Sequence, residues 1–424
     1  MAPGSQRLWQ LAQVAMEGGE GATLRDVDGN TYIDLAASLG VAALGYGDPG
    51  QAAALAAQAG ALMVGTHPTA ARLRLLQRLA AATPAGSGLR RTQLYSGGAE
   101  AVESALRLAR AATGKFEVIS FWGGFHGKTQ GVLGLMGSSF KHGLGPQQPG
   151  LFSLPYADCS RCPLKLTHPS CGLACVDFVR EAVRHQTTGS VAAIVVEPIL
   201  GTGGNIIPPD DYLPALRQLA DEIGALLVVD EMITGFGRTG RTFAVEHVGV
   251  HPDIMTVGKS LGGGYPIAGV ITTEALCRAE PWSRPSFSSS SYGGNPLAAA
   301  AADYAVGEIA GRNLARHAAG VGERMLASLR DLAERFPFIT NPRGRGLMLG
   351  FDLVADAARA TPMGAGGCEA LFAAALRRGV VTLAYAPRVR ITPPLVITEA
   401  EADEAMAALG EACAEVLAAG SYRR

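Results

Sequence analysis

The stretch ALLVVDEMITGFGRTG, residues 225–240, decides how this chain folds. Five consecutive apolar residues end at Asp230 and Glu231 and give way to a segment with three glycines in six residues. A run that is apolar on both faces fits a strand of a parallel sheet covered by helices. The preceding segment, DDYLPALRQLADEIG (210–224), begins with aspartates suited to capping a helix and stops at a glycine suited to ending one. Upstream, SVAAIVVEP (190–198) is a second buried run, and downstream HPDIMTVGK (251–259) and YPIAGVITTE (265–274) are further strands. Strands alternating with helices at this spacing predict consecutive βαβ units and an α/β class.

The rest of the chain is organised differently. Helical patterns over 295–309 and 313–335 are followed by short strands in GLMLGFDL (346–353) and RVRITPPL (388–395). Near the start, TLRDVDGNTYIDL (23–35) alternates around an Asp-Gly turn and predicts a hairpin. We expect a large α/β domain over 56–310 and a smaller α+β domain assembled from 1–55 and 311–424. With 48% hydrophobic and 17% charged residues in 424, the composition is that of a compact protein. A formal net charge of −1 gives no reason to expect nucleic acid or an anionic membrane as partner. No run approaches the roughly eighteen apolar residues of a membrane span, and the N-terminus lacks a secretory core, so a cytoplasmic location is expected.

Two glycine motifs invite wrong readings. In TVGKSLGGGY (256–265) a phosphate-cradling loop would need glycine five residues before Gly258, where Asp253 stands. GFGRTG (235–240) matches the dinucleotide fingerprint, but four residues separate it from the strand end at Asp230, which leaves a nicotinamide-dependent dehydrogenase as a distant alternative. More telling, three successive strands end in Glu197, Asp230 and Lys259. Any one alone would be the start of a solvated loop; together they lie beyond the carboxyl ends of parallel strands, where such sheets bind ligands. A desolvated lysine amine forms Schiff bases, and an aspartate keeps a pyridinium nitrogen protonated, the arrangement a pyridoxal ring needs. Its phosphate would need a glycine-rich helix start, which LYSGGAEAVESALRLARAATG (94–114) offers at Gly98 and Ala99.

SGGAEAVESALRLAR, FHGKT, EPILGTGG, VVDEMITGFGRTG, GKSLGGGYPIAG, SSYGGNP and VRITPPL occur in an order and spacing that resemble the class-III pyridoxal-phosphate aminotransferases, from about Thr23 to Leu395. That family includes the 4-aminobutyrate, ornithine and acetylornithine aminotransferases. The resemblance implies fold type I, with a mostly parallel seven-stranded sheet in the large domain. By it, Lys259 would carry pyridoxal phosphate as a Schiff base and shuttle a proton, and Asp230 would pair with the ring nitrogen. Phe125 would stack on one ring face and Met232 would pack on the other. Backbone amides of Gly98 and Ala99 would bind the phosphate. Ser291, last of four consecutive serines, would reach the phosphate of a neighbouring subunit, which implies a homodimer with shared sites. Arg390 would clamp the substrate carboxylate, although Arg388 faces the same side of its strand, and Glu197 would pair with that arginine when no carboxylate is bound.

Some positions depart from the family's pattern. Lys128 replaces an arginine that helps hold a distal carboxylate, Ile233 a glutamine near the ring hydroxyl, and Thr202 a glutamate. The implied reaction moves an amino group between an amino acid or ω-amine and a 2-oxo acid such as 2-oxoglutarate or pyruvate. An amino-acid racemase or epimerase uses the same lysine and aspartate and is not separated by these residues. Finally, DCSRCPLKLTHPSCGLAC (158–175) sets Cys159, Cys162, Cys171 and Cys175 at a spacing compatible with zinc or an iron–sulfur cluster, with His168 as a substitute ligand; the alternative is a loop of reduced thiols.

Overall fold

In the computed structural model, residues 7–65, 67–358 and 360–423 are described; residues 1–6 of the expected small-domain segment lie outside them. The central sheet has seven strands, in the spatial order Arg91–Tyr95, Ala268–Thr272, Ile254–Val257, Leu226–Asp230, Val191–Val196, Glu117–Phe121 and Leu151–Leu154. Only Ala268–Thr272 runs against both neighbours. Two reversals cancel, so Arg91–Tyr95 points the same way as Ile254–Val257. The helix that follows it, Gly98–Thr113, therefore starts at the same sheet edge as Glu197, Asp230 and Lys259.

The expected strands are present within one to three residues of their sequence bounds, and all six residues of Val191–Val196 are buried. The expected helix runs over Tyr212–Glu222, but Asp211 does not cap it with its side chain. Its carboxylate instead lies 3.0 Å from His168 Nε2. The hairpin forms between Thr23–Asp26 and Thr31–Asp34, with Asp26 Oδ1 accepting the Asn30 amide at 2.8 Å across the turn. Val380–Val381 adds to Thr31–Asp34 in parallel, so the two ends of the chain share a sheet. A second C-terminal sheet places Met348–Asp356 between Ile339–Arg345 and Arg388–Ile391.

Behind the strand that carries Glu197, three aromatic rings interlock. Phe121 stands edge-on to Tyr156 at 6.1 Å and to Tyr212 at 6.0 Å, and those two rings are 5.0 Å apart. The Tyr156 hydroxyl donates to the carbonyls of Glu197 and Pro198, each at 3.1 Å, pinning the chain just where it leaves the sheet. Phe121→Ala would empty this cluster and should cost about 3–5 kcal/mol, whereas Tyr156→Phe keeps the rings and should cost about 1–2 kcal/mol. Urea unfolding midpoints at constant m check both; equal losses would mean that the rings do not act as packing units.

Candidate active site

The strand ends converge as the sequence predicts. Asp230 is 1% exposed, and its carboxylate accepts from three donors: His126 Nδ1 at 2.8 Å, Thr256 Oγ1 at 3.0 Å and the Met232 amide at 3.1 Å. Thr256 comes from the adjacent strand, opposite Asp230 in register. His126 is the residue that sequence reasoning missed. It lies inside FHGKT beside Phe125, and the signal was available: an acid at the end of a buried strand needs a donor.

Glu197, 4% exposed, accepts the Phe125 amide at 2.8 Å and the Gly201 amide at 2.9 Å. Burial raises its carboxyl above the usual range and the charge of Asp230 adds to this, against His126 and the two amides. Burial alone would depress His126, but the hydrogen bond and charge of Asp230, with Glu197, outweigh it and raise the imidazole. Lys259 opens the short turn Lys259–Gly262 with φ at 44°, a left-handed backbone that costs a lysine of order 1–3 kcal/mol. Burial holds its amine below the ordinary lysine value; Glu197 and Asp230 pull upward, while Arg390 and Arg238 push the same way as burial.

Met232 ties this centre to the glycine-rich helix start. A Cβ on Gly258 would fall 2.6 Å from Met232 Sδ, and one on Gly98 would fall 3.3 Å from it. The thioether therefore fills space that a Cβ on Gly258 would invade, and lies in tight contact with Gly98. The helix Gly98–Thr113 opens on Gly97 with no side-chain cap, so its first amides are offered to an anion at the positive end of the helix dipole.

Phe125 is half-buried and meets Phe140 edge-on at 5.6 Å. Lys128 is exposed, with its ammonium over the rings of Phe125 and Phe140 at 5.7 and 5.0 Å. Ser291 is exposed in the single chain, on a loop held by Arg72, which donates to the carbonyls of Gly293 and Gly294 at 2.8 Å each.

Of the two candidate arginines, Arg388 is committed: it donates to Asp158 at 2.7 Å and to the Gly203 carbonyl at 3.1 Å. Arg390 shares a hydrogen bond with Tyr385, and burial lowers its guanidinium from the usual value. The expected Glu197–Arg390 ion pair is not formed: Glu197 accepts one backbone amide on each oxygen, and Arg390 is hydrogen-bonded to Tyr385.

The metal expectation is corrected. Among the described residues no group of three or more His, Cys, Asp or Glu side chains is placed to hold a metal ion. Cys159, Cys162, Cys171 and Cys175 are free thiols; Cys159 and Cys162 bracket one short turn, and Cys175 lies in the first turn of the helix Ala174–Gln186. Burial raises Cys175 to about 11 and also raises Cys159, and the neighbouring thiols push both the same way. The dinucleotide motif fails as well, since GFGRTG is followed by the short turn Ala244–His247 and not by a helix.

The aminotransferase class-III family matches the chain over residues 6–413. The chain is 37% identical over 408 residues to the putrescine aminotransferase of Pectobacterium atrosepticum, covering 93% of this chain and 79% of that one. It is 31% identical over 421 residues to the leucine/methionine racemase of Thermococcus litoralis, covering 98% and 93%. Its fold matches an amine transaminase from an uncultivated Pseudomonas species, solved with pyridoxal phosphate bound, with a TM-score of 0.90, 29% identity and 95% coverage of each chain. The chain belongs to the class-III aminotransferases. It is a pyridoxal-phosphate-dependent transaminase of fold type I. Among the described residues no helix is long and apolar enough to cross a membrane.

The His126–Asp230 contact has a pH signature. Because the folded histidine titrates above its unfolded value of about 6.5, the pair's stabilisation is fully present below that value and fades as pH rises through the folded one. The stability gap between wild type and His126→Asn should therefore be larger near about pH 6 than near about pH 9 in urea titrations; a gap that widens with pH would contradict the pairing.

Proposed function

We propose that the chain moves an amino group from an ω-amine or amino acid to a 2-oxo acid such as 2-oxoglutarate or pyruvate, as a cytoplasmic homodimer. The observation that carries this reading is the convergence of Glu197, Asp230 and Lys259 at neighbouring strand ends, with burial leaving the lysine amine ready to deprotonate. The residues present fit pyridoxal phosphate: an uncapped helix start for its phosphate, a buried acid with its own donors for its ring nitrogen, and a depressed lysine for its aldehyde. When bound, that cofactor supplies an electron sink for the substrate's Cα.

The chain's own residues supply binding, orientation and proton transfer. Lys259 Nζ would hold the cofactor at its aldehyde carbon and, as a neutral amine, would carry the proton between the substrate's Cα and the cofactor's C4′ carbon. Asp230 presents its carboxylate to the ring nitrogen, with His126 and Thr256 fixing its orientation. Phe125 and Met232 flank the ring, and the amides of Gly98 and Ala99 hold the phosphate. Arg390 receives the substrate carboxylate as a planar fork. Lys128, poised over the aromatic rings, is the remaining cation for a distal carboxylate. The exposed Ser291 and the exposed apolar side chains of Leu62, Met63, Val64, Phe287 and Tyr292 support a second copy that completes the phosphate site. The division into a large domain over 56–310 and a small one from 1–55 and 311–424 is supported by the shared sheet of Thr31–Asp34 and Val380–Val381.

Racemisation is the second reading, favoured by the racemase relative alone. Incubating the holoenzyme with a panel of ω-amines and amino acids should convert the cofactor to its amine form, and added 2-oxo acid should reverse this. Enantiomer interconversion without that conversion would favour the racemase. Lys259→Ala should lower turnover at least about 10³-fold and abolish borohydride fixation of the cofactor to the chain; retained fixation would remove the lysine from its assigned role.

A further inference from the structure

The segment that carries the four cysteines meets the active site through charge and not through sulfur. Asp158 Oδ2 accepts from Arg388 Nη2 at 2.7 Å, and Arg388 Nη1 donates to the Gly203 carbonyl at 3.1 Å. Three residues past Asp158, Arg161 reaches Asp352 at 3.3 Å. Asp352, 2% exposed, also pairs with Arg343 at 3.0 Å, and Arg343 Nη2 donates to the Gly204 carbonyl at 2.6 Å. The neighbouring Asn205 side chain donates to the Leu349 carbonyl at 2.6 Å. Two guanidinium groups and an amide thus hold the turn over residues 203–205 flat on the C-terminal sheet.

Glycine makes the approach close. A Cβ on Gly350 would fall 2.9 Å from the Gly204 carbonyl oxygen, and one on Gly204 would fall 2.9 Å from Arg388 Cβ. Gly350 is the cross-strand partner of Arg390. At its other end the same loop supplies the Gly201 amide to Glu197 at 2.9 Å. One loop therefore touches Glu197 and the strand pair that carries Arg390, and one of its attachments, Arg388 to the Gly203 carbonyl, runs through the guanidinium that Asp158 holds two residues from Arg390.

We propose that Asp158, acting through Arg388, is a positioning residue for carboxylate recognition: it fixes the loop over 201–205 so that Glu197 stays with its backbone amides and Arg390, hydrogen-bonded to Tyr385 and not to Glu197, is left for the substrate carboxylate. This rests on the reading of Arg390 given above. Losing Asp158 releases Arg388 as a competing anion site and loosens the loop, so damage falls on substrates that carry a carboxylate next to the reacting carbon. An unsubstituted diamine, which has no carboxylate, is spared.

The test uses the holoenzyme with 1,4-diaminobutane as donor and 2-oxoglutarate or pyruvate as acceptor. Asp158→Asn should raise the acceptor KM about tenfold while the diamine half-reaction keeps its rate within about twofold, and Asp158→Glu should restore most of the acceptor affinity. Equal loss in both half-reactions, or no change in either, overturns the proposal. Arg390→Met measured in parallel separates the two readings. If it raises the acceptor KM and Asp158→Asn does not, the positioning role alone fails; if it leaves the acceptor KM unchanged, the assignment of Arg390 fails and the proposal with it. Should Asp158→Asn not fold, Arg388→Lys is judged by the same split.

Discussion

A carboxylate at the end of a buried central strand is the constraint on which the rest of this structure depends. Asp230 is 1% exposed, and a buried acid without donors costs several kcal/mol. Its three donors come from three places: the adjacent strand, its own following turn, and the loop after Glu117–Phe121. The requirement then passes along the chain. Once His126 is held on Asp230, the preceding amide of Phe125 is delivered to Glu197, whose other oxygen takes the Gly201 amide. Two acids in one pocket are thus held by backbone and imidazole donors.

The same pocket sets the lysine. Two carboxylates pull its amine up, while two guanidinium groups and enclosure push it down, and enclosure is the largest contribution. This outcome follows from the scale of desolvation against partly cancelling charges. It also explains why the lysine sits on a strained turn: the left-handed φ of 44° brings it in from the end of its strand instead of continuing the strand outward.

Much of this was legible in the sequence, and for a definite reason. Strand ends in parallel sheets can be located from apolar runs, so Glu197, Asp230 and Lys259 could be placed before any coordinates, and the glycine pair before the helix Gly98–Thr113 marked the anion end. What could not be read depends on pairings between distant segments. His126 looked like a motif letter because its partner lies 104 residues away. Arg388 and Arg390 share a face, and their distant partners distinguish them: Asp158 and the Gly203 carbonyl take the first, Tyr385 the second. The cysteine spacing suggested a metal, yet spacing alone does not set three or more ligands around one point, and among the described residues no such group forms. The capping aspartate at 211 failed similarly, drawn off by His168.

The wedge of Met232 between Gly98 and Gly258 has a consequence for how such a site can change over time. A Cβ on Gly258 would meet the thioether at 2.6 Å and one on Gly98 at 3.3 Å, so a methyl group at either is accommodated only as the methionine gives way, by more at Gly258 than at Gly98. The three positions, spread over 160 residues of chain, are therefore coupled: a change at one alters what the other two can accept.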